Sequence, residues 1–131
     1  MAKYVYPAVF CKEKKLYSVS FPDLDGCYTS GESLSDAIFM AEDVLAFTLF
    51  DYEKEKKPVP VPSAPAAIKL KKGEFVNQIA CDTLEYQKMN NNKAVKKTLS
   101  IPEWLNEAAL AAGINFSQVL QDALKEKIGL I

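Results

Sequence analysis

The sequence predicts an α+β fold in two parts: a β-β-β-α-β domain, then a short β-α-α module. Three observations carry this. Aromatic and β-branched stretches broken by turns fill the first thirty residues or so. A long run beginning at Glu32 keeps helical spacing of its apolar residues. The last forty residues or so then run strand, helix, glycine turn, helix.

The elements follow in order. "KYVYPAVFCK" reads as a strand, with Pro7 marking an edge position or an irregularity. "KEKK" is a charged turn, and "LYSVSF" alternates and pairs back as a hairpin. "PDLDGC" turns, and "CYTSG" is a third strand. Ser33, with Asp36 three residues on, resembles a capping box for a helix through "LSDAIFMAEDVLAFTLFDYEKEKK". Ala37, Ala41, Val44, Leu45, Thr48 and Leu49 form its inner stripe. Ile38, Phe39 and Phe47 widen the apolar surface, so cover from a sheet and from another chain is expected. "KPVPVPSAPA" cannot continue a helix and is an ordered crossing or a spacer. "FVNQIACD" returns as a strand, and Thr83 is a candidate cap for a short helix after it. The Asn run at 90–92 is the best linker candidate, so the expected division is 1–85, a linker at 86–93, and 94–131.

In the last part, Val95, Leu99 and Ile101 alternate with Lys96, Thr98 and Ser100. Pro102 suits a first helical turn, and Ser100 with Glu103 matches a capping box. Trp104, Leu105, Ala108, Ala109 and Ala112 make one stripe, and Gly113 ends that helix. Asn115, with Gln118 three on, caps a second helix striped by Val119, Leu120, Ala123, Leu124 and Ile128. Two short helices and a lone strand cannot bury a core. The expected solution is a two-fold dimer through residues 95–131, with the strand pairing antiparallel to its copy. Leu99 and Ile101 would face the helices. Lys96, Thr98 and Ser100 would face out on a ribbon that fits a DNA major groove. Free N–H groups around Asn115, Phe116 and Ser117 would hold a backbone phosphate. Simple dimerisation is the plainer reading of the same pattern, and Lys97 falls on the inward side of the strand.

Bulk properties narrow the function classes. Of 131 residues, 49% are apolar, and the net charge is −1. Residues 1–62 carry 7 Lys against 10 acids, and residues 63–131 carry 9 Lys against 7 acids, so a polyanion would meet the second half. There is no His and no Arg, which removes histidine-based triads and the commonest metal ligand. Cys11, Cys27 and Cys81 fit neither a zinc knuckle nor a disulfide framework and read as buried thiols of a reducing cytosol. The N-terminus lacks a signal peptide's apolar core, and no window of 18 apolar residues exists to span a bilayer. Asp23, Asp25, Glu32, Asp36, Glu42 and Asp43 invite comparison with a metal-dependent nuclease. The helix acids, however, read as caps and solvated-face residues. No catalytic residue, metal or cofactor is expected.

Two resemblances sharpen the expectation. "VKKTLSIPEWLNEAALAAGINFSQVLQDALKEK" resembles the ribbon-helix-helix DNA-binding fold, with the Ile101-Pro102 junction and Gly113-Ile114 turn in place. By that likeness Lys96, Thr98 and Ser100 read bases, and residues 115–117 clamp phosphate. Phe116 departs from the pattern, since a basic residue is common there, and the frequent early Arg is missing. Phe21-Pro22-Asp23-Leu24-Asp25-Gly26-Cys27, then Thr29, Gly31, Ala37, Ala41 and Glu42, and Pro60 to Ser63, resemble the N-terminal domain of HicB-family antitoxins. That resemblance implies a degenerate RNase H-like fold without catalytic carboxylates. It implies a partner, HicA, a small double-stranded-RNA-binding-like toxin that cleaves mRNA. It also implies repression of the shared operon by a dimer, or a dimer of dimers, on double-stranded operator DNA in the cytoplasm. Asp23, Leu24, Asp25 and Glu32 are the weak candidates for toxin contact. The alternative is a stand-alone ribbon-helix-helix repressor whose N-terminal domain senses a ligand or another partner.

Overall fold

The computed structural model describes residues 2–91 and 93–131. The first unit is built on one four-stranded antiparallel sheet and one long helix, and the reasons are local. β1 (Lys3–Lys12) and β2 (Tyr17–Ser20) form the hairpin, with Phe10 opposite Val19. β3 (Tyr28–Gly31) adds to β2, and β4 (Glu74–Asp82) pairs along nearly all of β1, giving the order β3-β2-β1-β4. Pro7 sits in the middle of β1, yet β2 pairs only from Val9 onward, so β4 alone lies beside Pro7. A residue without an N–H is tolerated at such a local edge.

Alternation puts Tyr6, Ala8, Phe10, Val19 and Ile79 on one face, where they are buried. α1 (Leu34–Lys54) covers that face with Ala37, Ala41, Leu45 and Leu49. The two alanines let the helix backbone come close; the two leucines each contribute about 1.5–3 kcal/mol by burial. The Oγ of Ser33 accepts from the Asp36 N–H at 3.1 Å, as the capping pattern predicts. At the other end Lys56 takes φ +57 and its N–H donates to the Glu53 carbonyl, which stops the helix.

The segment after α1 is an ordered crossing. The Tyr6 hydroxyl donates to the Pro60 carbonyl, and Ser63 donates to Asp23 through its N–H at 2.9 Å and its hydroxyl at 2.5 Å. A short 3-10 turn, Pro65–Ala67, leads towards β4.

The compact unit extends further than the sequence suggests. Contacts divide the chain into residues 1–93 and 94–131. Residues expected to begin a linker at 86 belong to α2 (Thr83–Asn90), whose Tyr86 ring packs on Phe47 and Phe50 of α1. Asp82, not Thr83, caps this helix, accepting from the N–H of Leu84 at 2.9 Å. Thr83 is instead buried. Its hydroxyl accepts from the Ala2 N–H at 2.8 Å and donates to the Ala2 carbonyl at 3.1 Å, tying the chain start to α2. Within the Asn run expected as the boundary, Asn92 lies outside the described residues, as does Met1.

The second unit holds α3 (Glu103–Ala111) and α4 (Phe116–Lys127). Gly113, at φ +69, closes α3: its N–H donates to Leu110 and that of Ile114 to Ala109, a Schellman turn. The Asn115 side chain accepts from the Gln118 N–H at 3.0 Å, as expected. The Ser100–Glu103 box does not form. Pro102 occupies the N-cap position and no side chain caps α3, because the helix starts two residues too late for Ser100 to serve as its cap. Residues 93–102 belong to no strand in the single chain. A strand requires a partner, and none of the described residues of this chain pairs with them.

Candidate functional site

The turn between β2 and β3 is built by a three-residue apolar rhythm. Phe21, Leu24 and Cys27 all point into the core. The Phe21 N–H donates to the Cys27 carbonyl at 3.0 Å, and the Leu24 N–H to the Phe21 carbonyl at 3.1 Å. Gly26, at φ +71, completes the closure. This geometry decides what the four candidate partner residues can do. Leu24 is a core residue and has no surface to offer. The Asp23 carboxylate holds Ser63 and so pins the crossing segment. Asp25 and Glu32 stay exposed. Spacing alone could not separate Leu24 from its neighbours, but the recurrence at 21, 24 and 27 is a readable signal of an inward-facing turn.

Among the described residues, no three His, Cys, Asp or Glu side chains gather in a way that could hold a metal ion. Asp36 sits at the first turn of α1 and Asp43 two turns on, both facing solvent. Burial pushes the Cys27 thiol up, partly opposed by the Thr48 hydroxyl, which donates to the sulfur at 3.4 Å. Burial, with Asp82 nearby, pushes Cys81 up to about 12. Both thiols are therefore held neutral near pH 7.

Sequence reasoning expected α1 to be covered on more than its sheet side. In the structure Phe39 is 70% exposed and Phe47 57% exposed, with Met40 beside them. The backbone from Leu16 to Glu53 carries Asp23, Asp25, Glu32, Asp36, Glu42, Asp43, Asp51 and Glu53, and no Lys or Arg. The solvent side of α1 thus presents Phe39 and Phe47 together with the exposed Asp36 and Asp43.

The second unit differs in kind. No residue of α3 or α4 is buried. Leu99, Ile101, Leu105, Val119, Leu124 and Ile128 are all exposed, and Trp104 is 71% exposed. Lys96, Thr98 and Ser100 are exposed on the segment before α3, as is Lys97. Asn115, Phe116 and Ser117 lie together at the start of α4, with the Asn115 oxygen engaged by its own helix.

A four-stranded sheet backed by one helix, an ordered proline crossing and a two-helix unit with exposed apolar side chains make a small α+β chain of two units. Residues 3–76 match the family described as HicB_like antitoxin of bacterial toxin-antitoxin system, and the chain belongs to that family. Antitoxin HicB 2 of Photorhabdus laumondii is 36% identical over 59 residues, which is 44% of this chain and 42% of that protein. The chain therefore spans less than half the length of that curated relative.

Solved structures extend the likeness. A chain of a toxin–antitoxin complex from Streptococcus pneumoniae superposes with a TM-score of 0.63 at 28% identity, covering 95% of this chain and 99% of that one. The antitoxin HicB3 crystal structure gives 0.53 at 29%, covering 95% and 98%. A chain of a HicA3 and HicB3 toxin–antitoxin complex gives 0.51 at 25%, covering 60% of this chain and 99% of that one.

Proposed function

We propose that this chain is an antitoxin that works at both ends. Its first unit binds and neutralises a HicA-type, mRNA-cleaving toxin. Residues 95–131 dimerise as a ribbon-helix-helix and bind promoter DNA, which represses the operon by occluding it. The protein acts in the cytoplasm, is not an enzyme and needs no cofactor.

One observation carries the second half of this reading. The two helices bury no side chain of their own, and an apolar stripe runs along each. Leaving such a surface in water is costly, since each large apolar side chain contributes about 1.5–3 kcal/mol when covered. A second copy offers the same stripe and a second strand, so one two-fold contact satisfies both the bare helices and the unpaired segment. The strand faces then divide. Leu99 and Ile101 turn towards the four helices, and Lys96, Thr98 and Ser100 towards the major groove. The start of α4, at Asn115, Phe116 and Ser117, lies against a phosphate. Two such dimers side by side would cover a palindromic operator.

The first half rests on the family match across residues 3–76 and on relatives solved in toxin–antitoxin complexes. The test measures two affinities on one variant. Lys96→Ala should weaken binding to the chain's own promoter by about 1–3 kcal/mol and leave toxin capture unchanged. Equal loss of both affinities would contradict the division of labour. A wild-type chain that ignores the promoter would remove the DNA half.

A further inference from the structure

We propose that the solvent face of α1, centred on Phe39, Asp43 and Phe47, is the docking surface for the toxin. The inference rests on the antitoxin reading above and specifies where the contact lies.

Residues 36, 39, 43 and 47 are three or four apart and share one helix face. That face combines two features that seldom meet on free surface. Phe39 and Phe47 are large, rigid and exposed. Phe47 is braced edge-on by Tyr86 at 6.4 Å, and Tyr86 in turn lies tilted against Phe50 at 5.8 Å. The acids around them are unneutralised: among the described residues the ion pairs join Lys57 to Glu55 and Lys88 to Glu85, and neither involves α1's solvent-facing Asp36 or Asp43. Aromatic anchors inside a charged rim are the usual anatomy of a protein interface.

The charge selects the occupant. A second copy of this chain would bring Asp36 and Asp43 against their own counterparts in a two-fold contact, which like charges oppose. A protein that grips RNA must present Lys or Arg to phosphates. Those cations match the acids, and they lie favourably over the exposed rings. A toxin seated here would have its phosphate-binding cations occupied by carboxylates.

The test uses the full chain and the HicA-type toxin encoded with it, with Phe39→Ala and Asp43→Lys as variants. Both side chains are exposed, so the fold should persist, and a denaturation curve verifies this. Phe39→Ala should weaken toxin binding about 30-fold or more. Asp43→Lys should slow association and flatten its dependence on salt. The mass of the free chain in sedimentation should stay the same for both. Wild-type binding with both variants within about threefold of it would overturn the docking surface and leave the antitoxin reading standing. A change in the free chain's mass with toxin affinity intact would assign the face to self-association and overturn the proposal. Failure of the wild-type chain to bind the toxin at all would remove both readings.

Discussion

Gly31 closes β3 directly beneath the first turn of α1, and replacing it with Ala tests how the sheet and helix are held together. A Cβ at this position would lie 2.4 Å from the Ala37 nitrogen and 2.7 Å from both the Ala37 Cα and the Asp36 carbonyl carbon. All three are backbone atoms, so no side chain can swing aside. Ordinary contact needs about 3.5 Å, so the helix start must retreat by on the order of 1 Å. That retreat loosens Ala37 and Ala41, whose small size exists to allow the close approach. Overpacking of this kind costs about 1–3 kcal/mol, at the upper end where backbone blocks the way. The lower entropy of the unfolded chain returns about 0.4–1 kcal/mol. The net loss is about 2 kcal/mol.

The assay is urea unfolding of the full chain. Every tyrosine lies in the first unit and the single tryptophan, Trp104, in the second, so near-UV tyrosine signal and tryptophan fluorescence report the two separately. The tyrosine midpoint should fall by about 1 M urea, with the tryptophan transition unmoved. Gly73→Ala is the control: nothing lies within 4 Å of its Cβ, and only its φ of +85 opposes the change, at about 1–2 kcal/mol. A Gly31→Ala chain as stable as wild type would refute the close-approach argument.

Three further outcomes follow from named contacts. Asp23→Ala should free Ser63, lower stability by about 1–2 kcal/mol and open residues 57–66 to protease; unchanged protease resistance would show that the crossing is held by other contacts. If residues 95–131 dimerise as proposed, Leu99→Asp should lower the mass to that of a monomer in sedimentation and abolish promoter binding, because it would place a charge in the shared core; an unchanged mass would exclude residue 99 from that contact. On the alkaline side, burial, with Asp82 nearby, raises Cys81 to about 12, and burial together with Glu53 raises Tyr4 to about 12. The folded state keeps both protons longer than the unfolded one, so this stabilisation is whole below about pH 9 and drains away as pH rises towards 12. Cys81→Ala should make the loss shallower while Cys27, raised by burial too, keeps its onset; an unchanged slope would exclude the Cys81 thiol as a source.

Most features set by neighbours in the chain were legible, although the Ser100–Glu103 spacing misled, and features set by distant residues were not. Ser33 with Asp36 and Asn115 with Gln118 are caps because a side chain meets an N–H three residues away, and that spacing is visible in one dimension. The buried stripe of α1 follows from helical period. Thr83 looks the same in sequence whether it caps a helix or binds Ala2 across 81 residues, and only the fold chooses. The same holds for Asp23, whose partner Ser63 lies 40 residues on. α2 is amphipathic only weakly and is held by Tyr86 against α1, so its sequence read as linker. The candidate contact face was legible only in part: Phe39 and Phe47 pointed to cover from another chain, but not to where that cover lies. Phe39 and Phe47 could have been core residues, and their exposure is a property of the packed helix.

If this chain silences an RNA-cleaving toxin by covering it, as proposed, the most direct measurement is cleavage of an mRNA by the purified HicA-type toxin while the full chain is titrated in. Cleavage should fall in proportion to added chain and vanish at stoichiometric amounts, with Lys96→Ala as effective as wild type. Undiminished cleavage in the presence of excess folded chain would contradict it.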